Sequence, residues 1–204
     1  MLYRFNARKL LGLIVIFVVL SSVFLVSFNV EAPLSCDESV KIMPLGDSIT
    51  RGGPPYDDPP GYRQKLYVDL INAGFDVDFV GNLSDGGSAI PPFFDTDHNG
   101  HGGKTASWLN PRLNGPTEYY LSVNPDVILY HIGTNNLGGS EIAQYAADAN
   151  ASLEIIYGFD ADITVVLAKI ILTLDSARNT RTHNYNLLLE DIAQDWADAG
   201  YSII

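Results

Sequence analysis

The chain has 204 residues, with 12 basic and 24 acidic side chains and a formal net charge of −12 at pH 7. This length suits one α/β domain with a sizeable core, and a composition of 47% apolar and 18% charged residues is ordinary for a globular protein. The acidic balance argues against nucleic acid as a partner, because phosphates need basic contacts.

The first 30 residues differ from the rest of the chain. Basic side chains within the first nine residues precede an uncharged run at 10–28 that is rich in Leu, Ile, Val and Phe. The length of this run lies between that of a secretory signal and that of a membrane span. We therefore predict that residues 1–30 are a signal peptide or an N-terminal membrane anchor. Either one leaves everything after Val30 outside the cytoplasm, secreted or membrane-tethered.

Residues 31–39 have the composition of a linker, and the domain is predicted to occupy 40–204. The linker contains Cys36, the only cysteine, so this chain forms no internal disulfide. The sequence before Cys36 hints at a lipoprotein signal, but Pro33 is unfavourable for that motif. We favour an idle thiol, or a thiol whose partner lies after Ile204.

Apolar runs that end near glycine or proline predict strands, and apolar side chains at helical spacing predict helices. In chain order, we predict strands at 40–45, 75–80, 126–132, 163–171 and 201–204, and helices at 62–73, 106–113, 140–157 and 184–199. Ser140 is the predicted N-cap of the third helix. Residues 82–105 are rich in Gly, Pro, Asp and His, and are predicted to form a long loop that carries function.

Strands separated by helices of this length predict a parallel sheet with right-handed crossovers. The expected fold is α/β, a flavodoxin-like three-layer α/β/α arrangement with strand order 2-1-3-4-5. The fifth strand and last helix are expected to be incomplete at Ile204. Such a fold binds ligands beyond the carboxyl ends of its strands, at the switch point between the first and third strands.

Polar motifs follow three neighbouring strands at this edge. Gly-Asp-Ser ends at Ser48 after the first strand, Gly81 follows the second, and Gly-Thr-Asn ends at Asn135 after the third. Acyl transfer needs a nucleophilic hydroxyl and donors aimed at the developing oxyanion. Ser48 offers the hydroxyl, while its own N–H, the N–H of Gly81 and the side-chain amide of Asn135 are candidate donors. Gly81 suits this task because it has no Cβ.

At these three motifs the sequence resembles the SGNH (GDSL) hydrolases, and the resemblance spans about 41–204. It implies that Ser48 is the nucleophile and that Ser48, Gly81 and Asn135 form the oxyanion hole, with no cofactor. The segments 42–50, 61–63, 78–81 and 98–103 look most like carbohydrate esterase family three. Members of that family are chiefly acetyl xylan esterases, which remove O-acetyl groups from plant polysaccharide.

The sequence departs from the family pattern at two places. Asn136 stands where the family usually has aspartate. The family's Asp-x-x-His, which supplies the base and its orienting carboxylate, follows the fifth strand and would lie after Ile204. We therefore expect a C-terminally truncated chain that is inactive in this form.

Other candidate site residues are less specific. The resemblance implies that His98 and His101 shape the pocket, and we predict that they contact substrate. Metal ligation with Asp95 and Asp97, or service as a substitute base, are the less favoured alternatives, and we predict no metal. We expect His131 to be a hydrogen-bonded structural histidine.

His183 is expected to begin a helix and to be solvated. Trp108, Tyr56 and Tyr62 offer faces for stacking on sugar, although core packing is as good an explanation for Tyr62. Asp47 is included among the substrate-binding candidates, but a hydrogen bond that stabilises the turn is the better explanation of this residue.

The favoured function is serine esterase removal of O-acetyl groups from extracellular polysaccharide. An apolar acyl channel would instead favour a lysophospholipase or thioesterase of the same superfamily. A non-catalytic carbohydrate-binding relative is the alternative outside the enzymes. The predicted partner is acetylated polysaccharide, with no nucleic acid and a possible membrane tether through residues 10–28.

Overall fold

A computed structural model describes residues 39–52, 60–86, 94–116 and 118–204. Statements about the structure concern these ranges. The predictions for the leader at 1–30, for Cys36 and for Tyr56 lie outside the described residues. Within the described part of the chain, no helix has the length and apolar character needed to cross a membrane.

Six short strands form a mostly parallel sheet. They are β1 (Val40–Gly46), β2 (Val77–Phe79), β3 (Leu83–Ser84), β4 (Asp97–Gly100), β5 (Val127–His131) and β6 (Thr164–Leu167). One side of β1 pairs in parallel with β5, and β5 pairs in parallel with β6. The other side of β1 pairs in parallel with β2 along its first half and with β4 at its carboxyl end. Strand β3 pairs antiparallel with β4.

The predicted order of the five strands is confirmed in part, because β4, which was not predicted, also pairs with β1 on the side of β2. Counted as predicted, strands two, one, three and four are β2, β1, β5 and β6. The fifth lies beside β6, where Ile203 forms a parallel bridge with Val165. The N–H of Leu167 donates to the carbonyl of Ile204 at 2.8 Å in the same pairing.

The helices are α1 (Ser48–Arg51), α2 (Arg63–Asn72), α3 (Ala106–Leu113), α4 (Ile142–Phe159) and α5 (Ser176–Asp198), and a 3-10 turn spans Tyr120–Val123. Two predicted starts were wrong. Helix α4 begins after Glu141, with no side-chain cap from Ser140. Helix α5 begins earlier than predicted because the Asp175 carboxylate caps it, accepting from the N–H of Ala177 at 2.9 Å.

Both faces of the sheet are covered, which produces the three layers. Alternate residues of β1 point to opposite faces: Ile42 joins a cluster with helix α2, while Met43 and Leu45 join a larger cluster with α3, α4 and α5. Residues on β5 divide in the same way. A parallel strand buried on both faces reads as a continuous apolar run, and this explains why these two strands were predictable.

Two parts of the strand prediction need correction. The 82–105 segment is not a simple loop, because it contains β3 and β4. The predicted strand at 163–171 is shorter, ending at Leu167. Beyond it the N–H of Ile170 donates to the Asn186 side-chain oxygen at 2.8 Å, so the backbone there bonds to a helix side chain and not to a strand.

Candidate active site

The predicted nucleophile lies on a tight turn at the carboxyl end of the central strand. Strand β1 ends at Gly46, and Ser48 is the first residue of α1. The Asp47 carboxylate accepts from the N–H of Ile49 at 2.9 Å and caps this short helix. A Cβ on Gly46 would lie 2.2 Å from the His131 carbonyl oxygen, so only glycine lets β1 and β5 approach here.

Asp47 is fully buried, so it has no surface to offer to a substrate. Its placement does not fit the substrate-binding assignment and agrees with the turn-stabilising alternative. The carboxylate acts through Ser48, because the turn that it caps positions the serine at the edge of the sheet.

Two backbone donors at this edge are unused within the described residues: the N–H groups of Ser48 and Gly81 have no hydrogen-bond acceptor there. Gly81 packs directly on β4, since a Cβ at this position would lie 2.2 Å from the carbonyl carbon and oxygen of His98. A side chain would therefore push Gly81 away from the sheet edge. The third predicted donor, the Asn135 amide, donates to the Lys104 carbonyl oxygen at 2.8 Å and carries a second N–H.

The segment after β4 connects the three motifs. The N–H of His101 donates to the Gly46 carbonyl oxygen at 2.8 Å, and a Cβ on Gly102 would lie 4.0 Å from the Ser48 Cβ. Two residues after Gly102, the carbonyl oxygen of Lys104 accepts from the side-chain amide of Asn135. These contacts bring the first and third motifs to one loop, which we call the 101–104 loop.

The second motif is joined to β4 by two asparagines that the sequence alone did not single out. The N–H of Asn82 donates to the Asn99 side-chain oxygen at 3.1 Å. Asn99 is fully buried, and its amide reaches the Asn82 side-chain oxygen at 3.3 Å. Asn99 lies inside the 98–103 segment that carried the family resemblance, and this was the available signal.

His98 is a structural residue in this arrangement. It is fully buried, with Nε2 at 2.9 Å from the Asp85 carboxylate and Nδ1 accepting from the N–H of Gly100 at 2.9 Å. These partners assign the proton to Nε2. Burial lowers the pKa of His98 to about 4, and the nearby Arg63 charge acts in the same direction, against Asp85. His98 thus has no surface for the substrate contact that we predicted.

Arg63 is a second support that sequence reasoning missed. Its guanidinium is fully buried and donates to four backbone carbonyl oxygens, those of Thr50, Arg51, Asp85 and Thr96, at 2.7 to 2.9 Å. It therefore ties α1 to the residue that follows β3 and to the residue that precedes β4. In the sequence, Arg63 was only part of the 61–63 segment that carries the family resemblance. An arginine at this position does not by itself indicate a buried side chain that binds backbone carbonyls.

His131 and His183 occupy different environments. His131 is buried at the end of β5, with Nδ1 4.0 Å from the Asp47 carboxylate. Within the described residues neither ring nitrogen has a hydrogen-bond partner, so the expected hydrogen-bonded histidine is not observed. Burial lowers the pKa of His131, and the Asp47 charge opposes this. His183 is exposed, as predicted, but lies inside α5 and does not begin it.

His101 and Trp108 belong to an aromatic group beside the 101–104 loop. The His101 ring stacks on Tyr120 at 5.1 Å with 10° between the planes, and Trp108 lies 5.1 Å from it on a tilted plane. Burial lowers the pKa of His101. Both residues line a cleft of about 400 Å³. Tyr62 instead packs against the cluster under α2, and burial raises its pKa to about 12.

The alternative of a metal site at the 95–101 segment has little support in the geometry. The Asp95 carboxylate accepts from the N–H groups of Phe79 and Asp97 at 2.8 and 3.1 Å. The described residues contain no group of three or more His, Cys, Asp or Glu side chains arranged to hold a metal ion.

A parallel α/β/α sheet with a serine on the turn after its central strand, glycine and asparagine motifs after the flanking strands, and a shared loop beside them is the arrangement of the SGNH hydrolases. Similarity to known proteins defines the family within this class.

The family 3 carbohydrate esterase of Clostridium thermocellum is 30% identical to this chain, with a TM-score of 0.66. The match covers 81% of this chain and 76% of that structure. This chain belongs to carbohydrate esterase family 3, so it is a carboxylic ester hydrolase by lineage.

Two further relatives are esterases. The crystal structure of an acetyl esterase mutant with acetate ion is 25% identical, with a TM-score of 0.67, and the match covers 81% of this chain and 77% of that one. A multidomain esterase of Ruminococcus flavefaciens is 34% identical over 51% of this chain, a segment that makes up 15% of that relative's length. A scan against protein-family models gives no match.

Proposed function

We propose that this protein is a serine esterase that removes O-acetyl groups from extracellular polysaccharide. Ser48 is the nucleophile, and the oxyanion rests on the N–H groups of Ser48 and Gly81 and on the amide of Asn135. The supporting observation is that contacts of β4 and the 101–104 loop join all three motifs at one edge of the sheet. The two backbone donors there have no acceptor within the described residues.

The chemistry follows from these groups. Ser48 Oγ attacks the ester carbonyl as a histidine takes its proton, and the carbonyl oxygen becomes an oxyanion held by the three donors. Collapse of this intermediate expels the sugar hydroxyl, which recovers the proton, and leaves an acetyl group on Ser48. Water activated by the same histidine then releases acetate.

The histidine that the resemblance implies for this step belongs to Asp-x-x-His. Within the described residues, no histidine nitrogen is hydrogen-bonded to Ser48 Oγ. His98 is unsuited to the task because both of its ring nitrogens already have partners in the protein. We therefore assign the base of the reaction to that motif and not to His98.

The test is release of acetate from acetylated xylan by the full gene product. Replacement of the nucleophile in serine hydrolases lowers kcat by about 10⁶, so Ser48→Ala should reduce acetate release to background. Ser140→Ala is the matched control, since Ser140 is exposed and lies outside the site. Undiminished acetate release by Ser48→Ala, with Ser140→Ala behaving the same, would overturn the assignment.

The location of the enzyme is part of the proposal. A basic start followed by the apolar run at 10–28 supports export, and polymeric xylan cannot be reached from the cytoplasm. Protease treatment of intact cells, together with assay of the medium, measures this. Full protection of the protein in intact cells, with none in the medium, would contradict an extracytoplasmic domain.

A further inference from the structure

A cleft of about 400 Å³ opens beside the predicted oxyanion donors. It begins at Asn82, the residue after Gly81, and at His101, whose N–H bonds to the carbonyl of Gly46. Gly102, the next residue, faces Ser48. The cleft therefore leads away from the reacting centre along one wall of the 101–104 loop. Its volume is at the lower end of the roughly 300–1,000 Å³ typical of small-molecule sites.

The wall of this cleft alternates flat rings with hydrogen-bonding groups. His101, Trp108 and Tyr119 contribute rings, and Tyr119 is 39% exposed. Asn82 and Ser122 contribute polar side chains along the same wall. The indole N–H of Trp108 has no hydrogen-bond acceptor within the described residues. The His101 ring is stacked on Tyr120, and the Trp108 ring has Arg112 and Lys104 over it, so Tyr119 is the ring that can stack on a ligand. An exposed aromatic face beside separate donors and acceptors suits a ring whose faces carry C–H groups and whose edge carries hydroxyls.

The carboxylate in the wall of the cleft is paired within the protein. The Glu118 carboxylate lies 2.5 Å from the Arg112 guanidinium. That guanidinium in turn covers the Trp108 ring at 3.8 Å. The Glu118 carboxylate of the wall is thus paired with its neighbour, and the Lys104 ammonium lies over the Trp108 ring at 4.8 Å. The wall therefore holds no free carboxylate that would select a cationic ligand.

We propose that this cleft binds a neutral pyranose ring of the polysaccharide chain, next to the sugar that carries the ester. The inference rests on the proposed function, because it takes the ester to be at Ser48. An acetyl group is far too small to fill this volume. The polar groups of the wall are unsuited to an alkyl chain, since their desolvation is unfavourable without hydrogen-bond partners.

Binding can be measured without catalysis. The chain has two tryptophans: Trp108 in the cleft, and Trp196, whose indole N–H donates to the Asn150 side chain at 2.8 Å. The Trp196 ring packs against Tyr157 and Tyr201, which do not line the cleft. Titration of the full gene product with xylotetraose, followed by the indole N–H signals of Trp108 and Trp196 in NMR spectra, should shift the Trp108 signal and leave that of Trp196 unchanged. Trp108→Phe and Trp196→Phe assign the two signals.

Tyr119→Ala should weaken xylotetraose binding about three- to tenfold, the range expected from loss of one aromatic contact. Ile71→Ala is the control, because Ile71 is 40% exposed, close to the 39% of Tyr119, and lies on α2 away from the cleft. Binding by Ile71→Ala should equal that of the unmodified protein. If Tyr119→Ala unfolds, the response of Trp108 in the unmodified protein still decides the question.

Two results would overturn the proposal. One is absence of any Trp108 shift with xylotetraose at millimolar concentration. The other is a shift caused by octanoate and not by the sugar, which would make the cleft an acyl site. Failure of the proposed function appears differently, as loss of acetate release while the Trp108 signal still responds. If acetate is released but the Trp108 signal does not shift with xylotetraose, the proposed esterase function stands and only the proposed sugar-binding cleft is refuted.

Discussion

Asn135 and Asn136 are adjacent in the turn after β5, yet the structure gives them different tasks. The side-chain amide of Asn135 reaches the 101–104 loop at Lys104, on the side of the predicted oxyanion. The N–H of Asn136 instead donates to the Gly133 carbonyl oxygen at 3.0 Å, and its own carbonyl accepts from Gly139. The contribution of Asn136 is therefore made by its backbone, which an alanine preserves.

This contrast yields a prediction for the full gene product. Asn135→Ala should lower kcat on p-nitrophenyl acetate by about 10²–10³, the usual effect of removing one oxyanion donor. KM should change little, since the donor acts on charge that develops in the transition state. Asn136→Ala is the neighbouring control and should keep kcat within about threefold. The opposite pattern, with Asn136→Ala as the defective variant, would mean that the motif is displaced by one residue.

Residue types indicated the three motifs, but they did not indicate the buried polar residues that hold the motifs in place. Ser48, Gly81 and Asn135 could be chosen because each type is needed for acyl transfer at a strand end. His98 was assigned to the substrate from the family resemblance of its segment, whereas the structure buries it between Asp85 and the backbone. Burial of a polar side chain depends on partners that are distant in sequence, and local sequence does not contain them.

At the scale of elements, β4 is the feature that local sequence could not reveal. Its residues Asp97–Gly100 are polar or glycine, so neither alternation nor β-branched side chains indicate a strand. It forms because the carboxyl end of β1 leaves backbone groups unpaired beyond β2, and pairing with Gly100 satisfies them. Arg63 and the His98–Asp85 pair then fix this strand in place.

The pair beneath β4 makes stability depend on pH. The pKa of His98 is lowered from 6.5 to about 4 in the folded chain, so the unfolded chain binds a proton more readily between these values. The free energy of unfolding should therefore be highest above about pH 6.5 and should fall as the pH drops toward 4. Arg63 strengthens this trend and Asp85 opposes it.

Denaturant unfolding between pH 7.5 and pH 4.5 measures the effect. In His98→Gln the fall in unfolding free energy across this range should be clearly smaller, because the glutamine amide can still donate to Asp85 but does not titrate. His183→Gln, at an exposed position on α5, should retain the slope of the unmodified protein. Equal slopes in all three proteins would show that His98 is not the group that titrates.

For the whole molecule, the order of the apolar strands was predictable and the polar edge of the sheet was not. Apolar strands such as β1 and β5 are buried on both faces, so their sequence marks them and the helices between them imply parallel pairing. The predicted fifth strand was also found beside β6. The contacts that assemble the site come from the 94–104 segment, where short-range patterns are absent and long-range hydrogen bonds decide the conformation.

The whole arrangement also predicts which acyl group the enzyme accepts. The loop that faces Ser48 is made of glycine, histidine and lysine, and the nearby Phe94 is turned into the core, where it contacts Tyr67 at 5.8 Å and the Arg63 guanidinium at 6.0 Å. Each extra CH₂ of an acyl chain returns roughly 0.8 kcal/mol only where apolar surface receives it. The 101–104 loop, which approaches Ser48 through Gly102, does not offer such a surface.

The full gene product should therefore prefer acetyl esters, with kcat/KM falling steadily from p-nitrophenyl acetate through butyrate to octanoate. Because the three esters share one leaving group, the trend reports on the acyl side of the site alone. Ser48→Ala, measured in parallel, corrects for spontaneous hydrolysis, which is fastest for the acetate. A rise in kcat/KM with chain length would identify an apolar acyl channel and favour the lysophospholipase or thioesterase alternative over polysaccharide deacetylation.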